Sequence, residues 1–208
     1  ESIRFGAMRR FFAVNRDIFL RTLCLIAVTT FFTSSGARQG NVILAVNTLL
    51  MQLFTLFSYV MDGFAYAAEA LAGRYIGACN LKHLRHAVRH LFGWGLALSL
   101  LFTLLYGIGG KHFLEVLTNE KEVIVVAGDY YYWVLAVPLA GFAAFLWDGI
   151  LIGATATRQM LWSMAAAAAV FFLIYYGFSG DVDNHVLWLA FLAYLFIRGL
   201  MQTILGRI

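Results

Sequence analysis

The sequence predicts an all-α polytopic membrane protein, a bundle of six transmembrane helices, and three observations carry that prediction. Hydrophobic residues make up 62% of the chain and charged residues only 12%, about half the charged share of a soluble domain, and the mean hydropathy is +0.80. The apolar residues gather into segments of about the 20 residues that a helix needs to cross a bilayer. No apolar/polar alternation over about ten residues recurs, so helices are the means of satisfying the backbone in lipid. The single Pro and 16% aromatic content fit long helices with aromatic residues near the interfaces.

In chain order, the first span covers about 17–35, around the apolar run from Ile18 to Phe32. The second, about 42–72, is longer than a bilayer requires and is expected to tilt or protrude. The third covers about 88–108, where Gly93, Gly95 and Ser99 allow close helix contacts. The fourth, about 130–154, contains Pro138, which removes a backbone hydrogen bond and kinks the helix ahead of "FLWDGILIGAT". The fifth covers about 161–178, with the small-residue run Ala165 to Ala169, and the sixth about 186–205.

Charge sets the orientation. Of the fifteen Lys and Arg, all but Arg38, Lys111 and Lys121 fall on one side of such a bundle. By the positive-inside rule both termini are cytoplasmic. The opposite loops, "KHFLEVLTNEKEV" and "SGDVDNH", are acid-rich. The chain opens on Glu1, with no signal-peptide pattern, and is expected to be one part of a longer polypeptide. Cys24 and Cys79 give neither a disulfide framework nor a metal spacing. His83, His86 and His90 in "KHLRHAVRH" recur at helical spacing, but no carboxylate or Cys accompanies them. A basic loop facing lipid headgroups accounts for them better than a metal or nucleic-acid site. No spacing of nucleophile, base and acid appears, so no enzyme chemistry and no cofactor is predicted.

Charges within the spans are costly and usually face a bundle interior or an aqueous cavity. At about 1.5 Å per residue, Asp148 and Arg198 each lie about 12 Å deep and are expected to pair between the fourth and sixth helices. Glu69 lies about 8 Å deep, level with Arg21, as an interfacial or interhelical pair, and Arg21 also follows Asp17 at ion-pair spacing. Asp62 lies roughly 18 Å in, where no basic residue matches it. Thr55, Tyr59, Asp62, Tyr66 and Glu69 share one helix face, a polar stripe that must meet protein or water. A carboxylate there is suited to binding and releasing a proton or a cation; the plainer reading is a protonated acid hydrogen-bonded to its neighbours. Trp147 beside Asp148 offers an aromatic wall for an amphipathic cation, or simply packs. "DGFAYAAEALAGRYIGA" and "DGILIGATATRQM" both start Asp-Gly and end at a basic loop, a faint internal echo.

"VNRDIFLRTLCL", "GARQGNVILAVNTLL", "DGFAYAAEALAGRYIGA", "WDGILIGATATRQM" and "NHVLWLAFLAYLFIRGL" resemble, in order, segments of the multidrug and toxic-compound extrusion (MATE) transporters, most of all the DinF-type branch. The resemblance implies twelve helices in two six-helix lobes, with this chain the C-terminal lobe, helices seven to twelve, and an N-terminal lobe as the partner it lacks. It implies export of cationic or amphipathic compounds in exchange for H+ or Na+ across a bacterial-type inner membrane. It implies no other cofactor and no nucleic-acid partner. Asp148 resembles the acid that some branches use near the cation site of this lobe, and Asp62 matches the Asp-Gly start of the DinF-type motif. The Glu that cation-coupling branches carry in helix seven is missing from "IFLRTLCLIAVTTFFTS". Asp62, Asp148, Tyr59, Tyr66 and Trp147, with Asn47 and Gln52, are the expected wall residues. The rivals are a lipid-linked saccharide flippase, which would require a cavity rich in cations, and a non-transporting half-length membrane subunit.

Overall fold

The computed structural model describes residues 5–178 and 183–206. Its elements are six α-helices: α1 (Phe5–Arg38), α2 (Asn41–Gly77), α3 (Leu81–Leu117), α4 (Lys121–Gly153), α5 (Thr157–Gly177) and α6 (Asn184–Leu205). Each is long and apolar enough to cross a membrane. The helices overrun the apolar windows because amphipathic flanks continue the hydrogen-bonded ladder into the interface. Thus α1 takes in the basic, aromatic stretch before Asp17, and α4 starts at Lys121 rather than near Tyr130. Helical geometry breaks inside α3 at Gly110, whose φ of 38° suits a residue without a Cβ.

The two helices that run toward the basic loops end alike. Beyond α2, Asn80 N–H donates to the Tyr75 carbonyl with Cys79 left-handed; beyond α4, Ala156 N–H donates to the Leu151 carbonyl with Thr155 left-handed. This six-to-one closure satisfies carbonyls that a helix end leaves open.

The central helix is α4, which packs on α2, α3 and α6, while α1 lies against α5 and α2. The closest approach is between α2 and α4. A Cβ on Gly149 would run into the backbone of Ala65, and one on Gly153 into the Glu69 carbonyl. Gly149 and Gly153 are one turn apart, the small-xxx-small spacing that lets membrane helices touch. Because 65 meets 149 and 69 meets 153, the two helices run parallel, with Asp62 and Asp148 within about 3 Å of one level. The separate depths expected for the two acids are therefore corrected. Taking Arg74 and Ala156 as level puts the two acids about 6 Å apart in depth; the crossing offsets those residues by about two positions and narrows the gap to about 3 Å. The Asp-Gly echo does not extend to packing, since Gly63 faces open space where Gly149 is pressed against a backbone.

Aromatic rings fill the rest of the core. Phe31 meets Phe171 and Tyr175 between α1 and α5, Phe32 meets Trp188 and Phe191 on α6, and Phe57 meets Phe102 and Phe145. Pro138 is buried in α4. In the turn before it, the Leu135 carbonyl accepts a hydrogen bond from the Thr103 hydroxyl of α3 at 3.1 Å, a neighbour's contribution where proline disturbs the ladder.

Candidate functional site

A buried carboxylate in an apolar bundle must collect partners, and Asp148 collects three. Arg198 of α6 and Arg21 of α1 both donate to its Oδ2, and Gln202 Nε2 donates to Oδ1 at 2.6 Å. Asp148 is 8% exposed, Arg198 6% and Gln202 1%, so these three are buried, while the Arg21 side chain reaches in from a partly exposed position. The Arg198 guanidinium also lies 5.8 Å over the Phe145 ring. Arg198 and Gln202 are one helical turn apart, which lets α6 present a cation and an amide to one acid.

Arg21 is thus spent on Asp148, and the expected pairings of Arg21 with Glu69 or Asp17 are replaced. Glu69 is half-buried and makes no ion pair among the described residues, while Asp17 pairs with Arg16 at 3.0 Å. The reason is geometric: α1, α4 and α6 converge on Asp148, and the Arg21 side chain is long enough to reach it.

Two guanidiniums on one carboxylate leave one positive charge over. Asp62, on α2, lies within electrostatic reach of both Asp148 and Arg198. Its expected isolation from any base is corrected accordingly. Asp62 is half-buried and has no hydrogen-bond or ion-pair partner among the described residues. Asp148 has both oxygens engaged, so a cation reaches it only by displacing a donor. Of the two acids, Asp62 is the one open to a ligand.

The face of α2 around Asp62 is open as well. Tyr59 and Tyr66 are each 71% exposed, Thr48 and Gln52 are exposed, and Thr55 and Glu69 are half-buried. These residues recur every three or four positions from 48 to 69, one face over about 31 Å of helix. Beside them, Thr29 and Thr33 of α1 join Thr48, Gln52 and Thr55 around a groove of about 350 Å³. Asn47 borders the same groove, but its amide is turned into the core. It donates to Asn184 Oδ1 at 2.7 Å and accepts from Asn184 Nδ2 and from Trp188 Nε1, both at 2.9 Å. Trp147 lies away from this wall: its Nε1 donates to Thr203 Oγ1 at 2.8 Å and its ring packs edge-on against Phe92.

With this geometry in view, comparison with known proteins is decisive. The MatE family model matches residues 18–176. The chain belongs to the MatE family. It is 39% identical over 202 residues to DNA damage-inducible protein F of Escherichia coli (strain K12), covering 97% of this chain and 44% of that protein. It is 24% identical over 183 residues to Protein DETOXIFICATION 42 of Arabidopsis thaliana, covering 86% of this chain and 36% of that protein. The chain therefore spans less than half the length of these curated relatives. Family membership and six apolar helices make this MatE chain a multi-pass membrane protein embedded in a lipid bilayer.

Sequence reasoning picked out Asp62, Asp148, Tyr59, Tyr66, Asn47, Gln52 and Trp147 in this MatE chain, and the structure divides them. Asp62, Tyr59, Tyr66 and Gln52 share the open α2 face; Asp148 and Asn47 are tied into buried networks; Trp147 belongs to a different crevice. Arg21 and Gln202 as partners of Asp148, and Asn184 as partner of Asn47, were overlooked. Arg21 and Gln202 carried a signal, since a polar side chain inside an apolar span requires a counterpart on a neighbouring span; Asn184 lies just ahead of the expected sixth span and carried none.

Proposed function

We propose that the chain is the C-terminal six-helix lobe of a secondary active efflux transporter, with an N-terminal lobe as its partner across a central cavity. It exports cationic or amphipathic compounds in exchange for H+ or Na+ by alternating access. Its membrane is a bacterial-type inner membrane, with the basic end and both ends of this segment on the cytoplasmic side. The observation that carries this reading is the open polar face of α2. A stripe of threonines, tyrosines and carboxylates spanning a bilayer cannot face lipid, so it requires a second lobe and water. The stripe is aromatic and acidic, which suits a cationic or amphipathic compound. The arginines nearest the bilayer interior, Arg21 and Arg198, are held by Asp148, which argues against a saccharide-pyrophosphate cargo.

In this mechanism Asp62 takes the coupling proton or cation when the cavity opens to one side. A change in the charge of Asp62 alters its interaction with Asp148 and Arg198, which biases how α2 sits against α4. The buried node holds α1, α4 and α6 as one body, so that rocking moves a rigid lobe.

Cysteine accessibility tests the reading. In the full-length polypeptide with Cys24 and Cys79 replaced by Ala, Tyr59→Cys should react with a membrane-impermeant maleimide and be protected by a transported cation. Leu104→Cys, on the exposed apolar face of α3 (61% exposed), should stay unlabelled. Equal labelling at both positions, or none at Tyr59→Cys from either side of the membrane, would overturn the cavity wall.

A further inference from the structure

Where the basic loop meets the bundle, α3 and α6 each lean on α4 and leave a crevice of about 320 Å³ between them. Its floor is apolar. Val88 and Phe92 of α3 and Trp147 of α4 line it, and the Trp147–Thr203 hydrogen bond with the edge-on Phe92 contact holds the indole in place. Its rim is cationic. Arg85 and Arg89 are four residues apart, so both guanidiniums rise from one face of α3, and Lys82 sits a turn earlier on the same side. All three are exposed, and among the described residues no carboxylate pairs with any of them. The rim continues into a second basic concavity formed by Lys82, Arg85 and Arg89 with His86.

We infer that this crevice binds an anionic phospholipid, with its phosphate between Arg85 and Arg89 and the start of an acyl chain on the Val88–Phe92–Trp147 floor. The charge arrangement selects the ligand's sign. Two guanidiniums on one helical face match a phosphate, which Arg meets with paired N–H donors, and they repel the cations that the α2 face suits. The floor selects a lipid over a free anion, because a soluble phosphate has nothing to place on Val88, Phe92 and an indole. The position fits as well, since basic crevices between helices at a membrane surface are where anionic headgroups lie. Trp147, which the sequence offered either as a wall for a cation or as simple packing, thus takes part in a site for the opposite charge. The inference does not depend on the proposed transport activity.

The test is native mass spectrometry of the purified full-length polypeptide titrated with palmitoyl-oleoyl phosphatidylglycerol or with phosphatidylcholine carrying the same chains. Phosphatidylglycerol should bind at least tenfold more tightly than phosphatidylcholine. Arg85→Gln/Arg89→Gln should weaken it roughly thirtyfold, at a few-fold per basic residue facing an anionic headgroup. Val88→Phe, which fills the floor and keeps both arginines, should also weaken it. Equal affinity for the two lipids, or phosphatidylglycerol binding untouched by either variant, would overturn the site. So would inorganic phosphate competing as well as the lipid does, which would mark a free-anion site.

Discussion

Replacing Gly149 with Ala tests the helix crossing on which the placement of the two acids rests. At Gly149 the added Cβ would run into the carbonyl oxygen of Ala65, with the Ala65 carbonyl carbon and Cα also in its way. These are backbone atoms of a neighbouring helix and cannot rotate aside, so α2 and α4 must separate. Overpacking of this kind costs about 1–3 kcal/mol, and the absence of a yielding side chain puts Gly149→Ala toward the upper end. Against this, Gly→Ala in a helix interior gains about 1 kcal/mol of propensity, leaving a net loss of about 1–2 kcal/mol. Gly63 supplies the control. It too follows an aspartate in a membrane-spanning helix, but nothing lies within 4 Å of its would-be Cβ, so Gly63→Ala keeps the propensity gain alone.

The assay is the fraction of detergent-solubilised protein that stays monodisperse after heating, compared at matched expression. At about 2–4 °C per kcal/mol for a chain of this size, Gly149→Ala should lower the midpoint by several degrees. Gly63→Ala should leave it unchanged or slightly higher, and Gly149→Leu should abolish folded protein. A Gly149→Ala midpoint at or above wild type, alongside a normal Gly63→Ala, would refute the close crossing. The common level of Asp62 and Asp148 would fall with it.

Three further outcomes are expected. Asp148→Asn should cost about 3–5 kcal/mol of stability because it leaves Arg21 and Arg198 without a counter-charge, whereas Arg198→Met, which keeps the Arg21 pair, should cost less; additive losses in the Asp148→Asn/Arg198→Met cycle would argue against a shared node. Asn47→Leu strands the Asn184 amide and the Trp188 N–H and should lose about 1–3 kcal/mol per orphaned group, while Asn47→Leu/Asn184→Leu recovers part of that loss in the same thermal assay. Asp62→Asn in the full-length polypeptide should leave membrane expression intact and abolish efflux of a cationic dye such as ethidium; normal efflux would remove Asp62 from coupling.

The fold was legible because its governing signal, apolar runs of bilayer length, is local. Residue type likewise exposed Asp62, Asp148, Arg198 and Asn47, since polar groups inside such runs are conspicuous. What stayed hidden was relative level. Depth counted along each helix took Arg74 and Ala156 as level; the crossing offsets them by about two residues and brings Asp62 to within about 3 Å of the level of Asp148. Arg21 was misassigned for the same reason, since spacing along α1 shows Asp17 but not the acid that α4 brings across.

The polar groups inside the bundle differ in how completely the fold itself satisfies them, and that difference is what points to function. Asn47 and Asn184 satisfy each other reciprocally, with Trp188 added. Asp148 has three donors on two oxygens, so the fold itself satisfies it fully. Asp62, within electrostatic reach of that node, has no direct partner among the described residues and an open side. A half-buried carboxylate with no direct partner and an open side is free to change its proton or cation occupancy as its surroundings change. A residue held by one strong bond would not switch. In the transport proposed above, Asp62, on the exposed face among Tyr59, Tyr66 and Gln52, is therefore the group placed for a bound ion to meet the compound being carried.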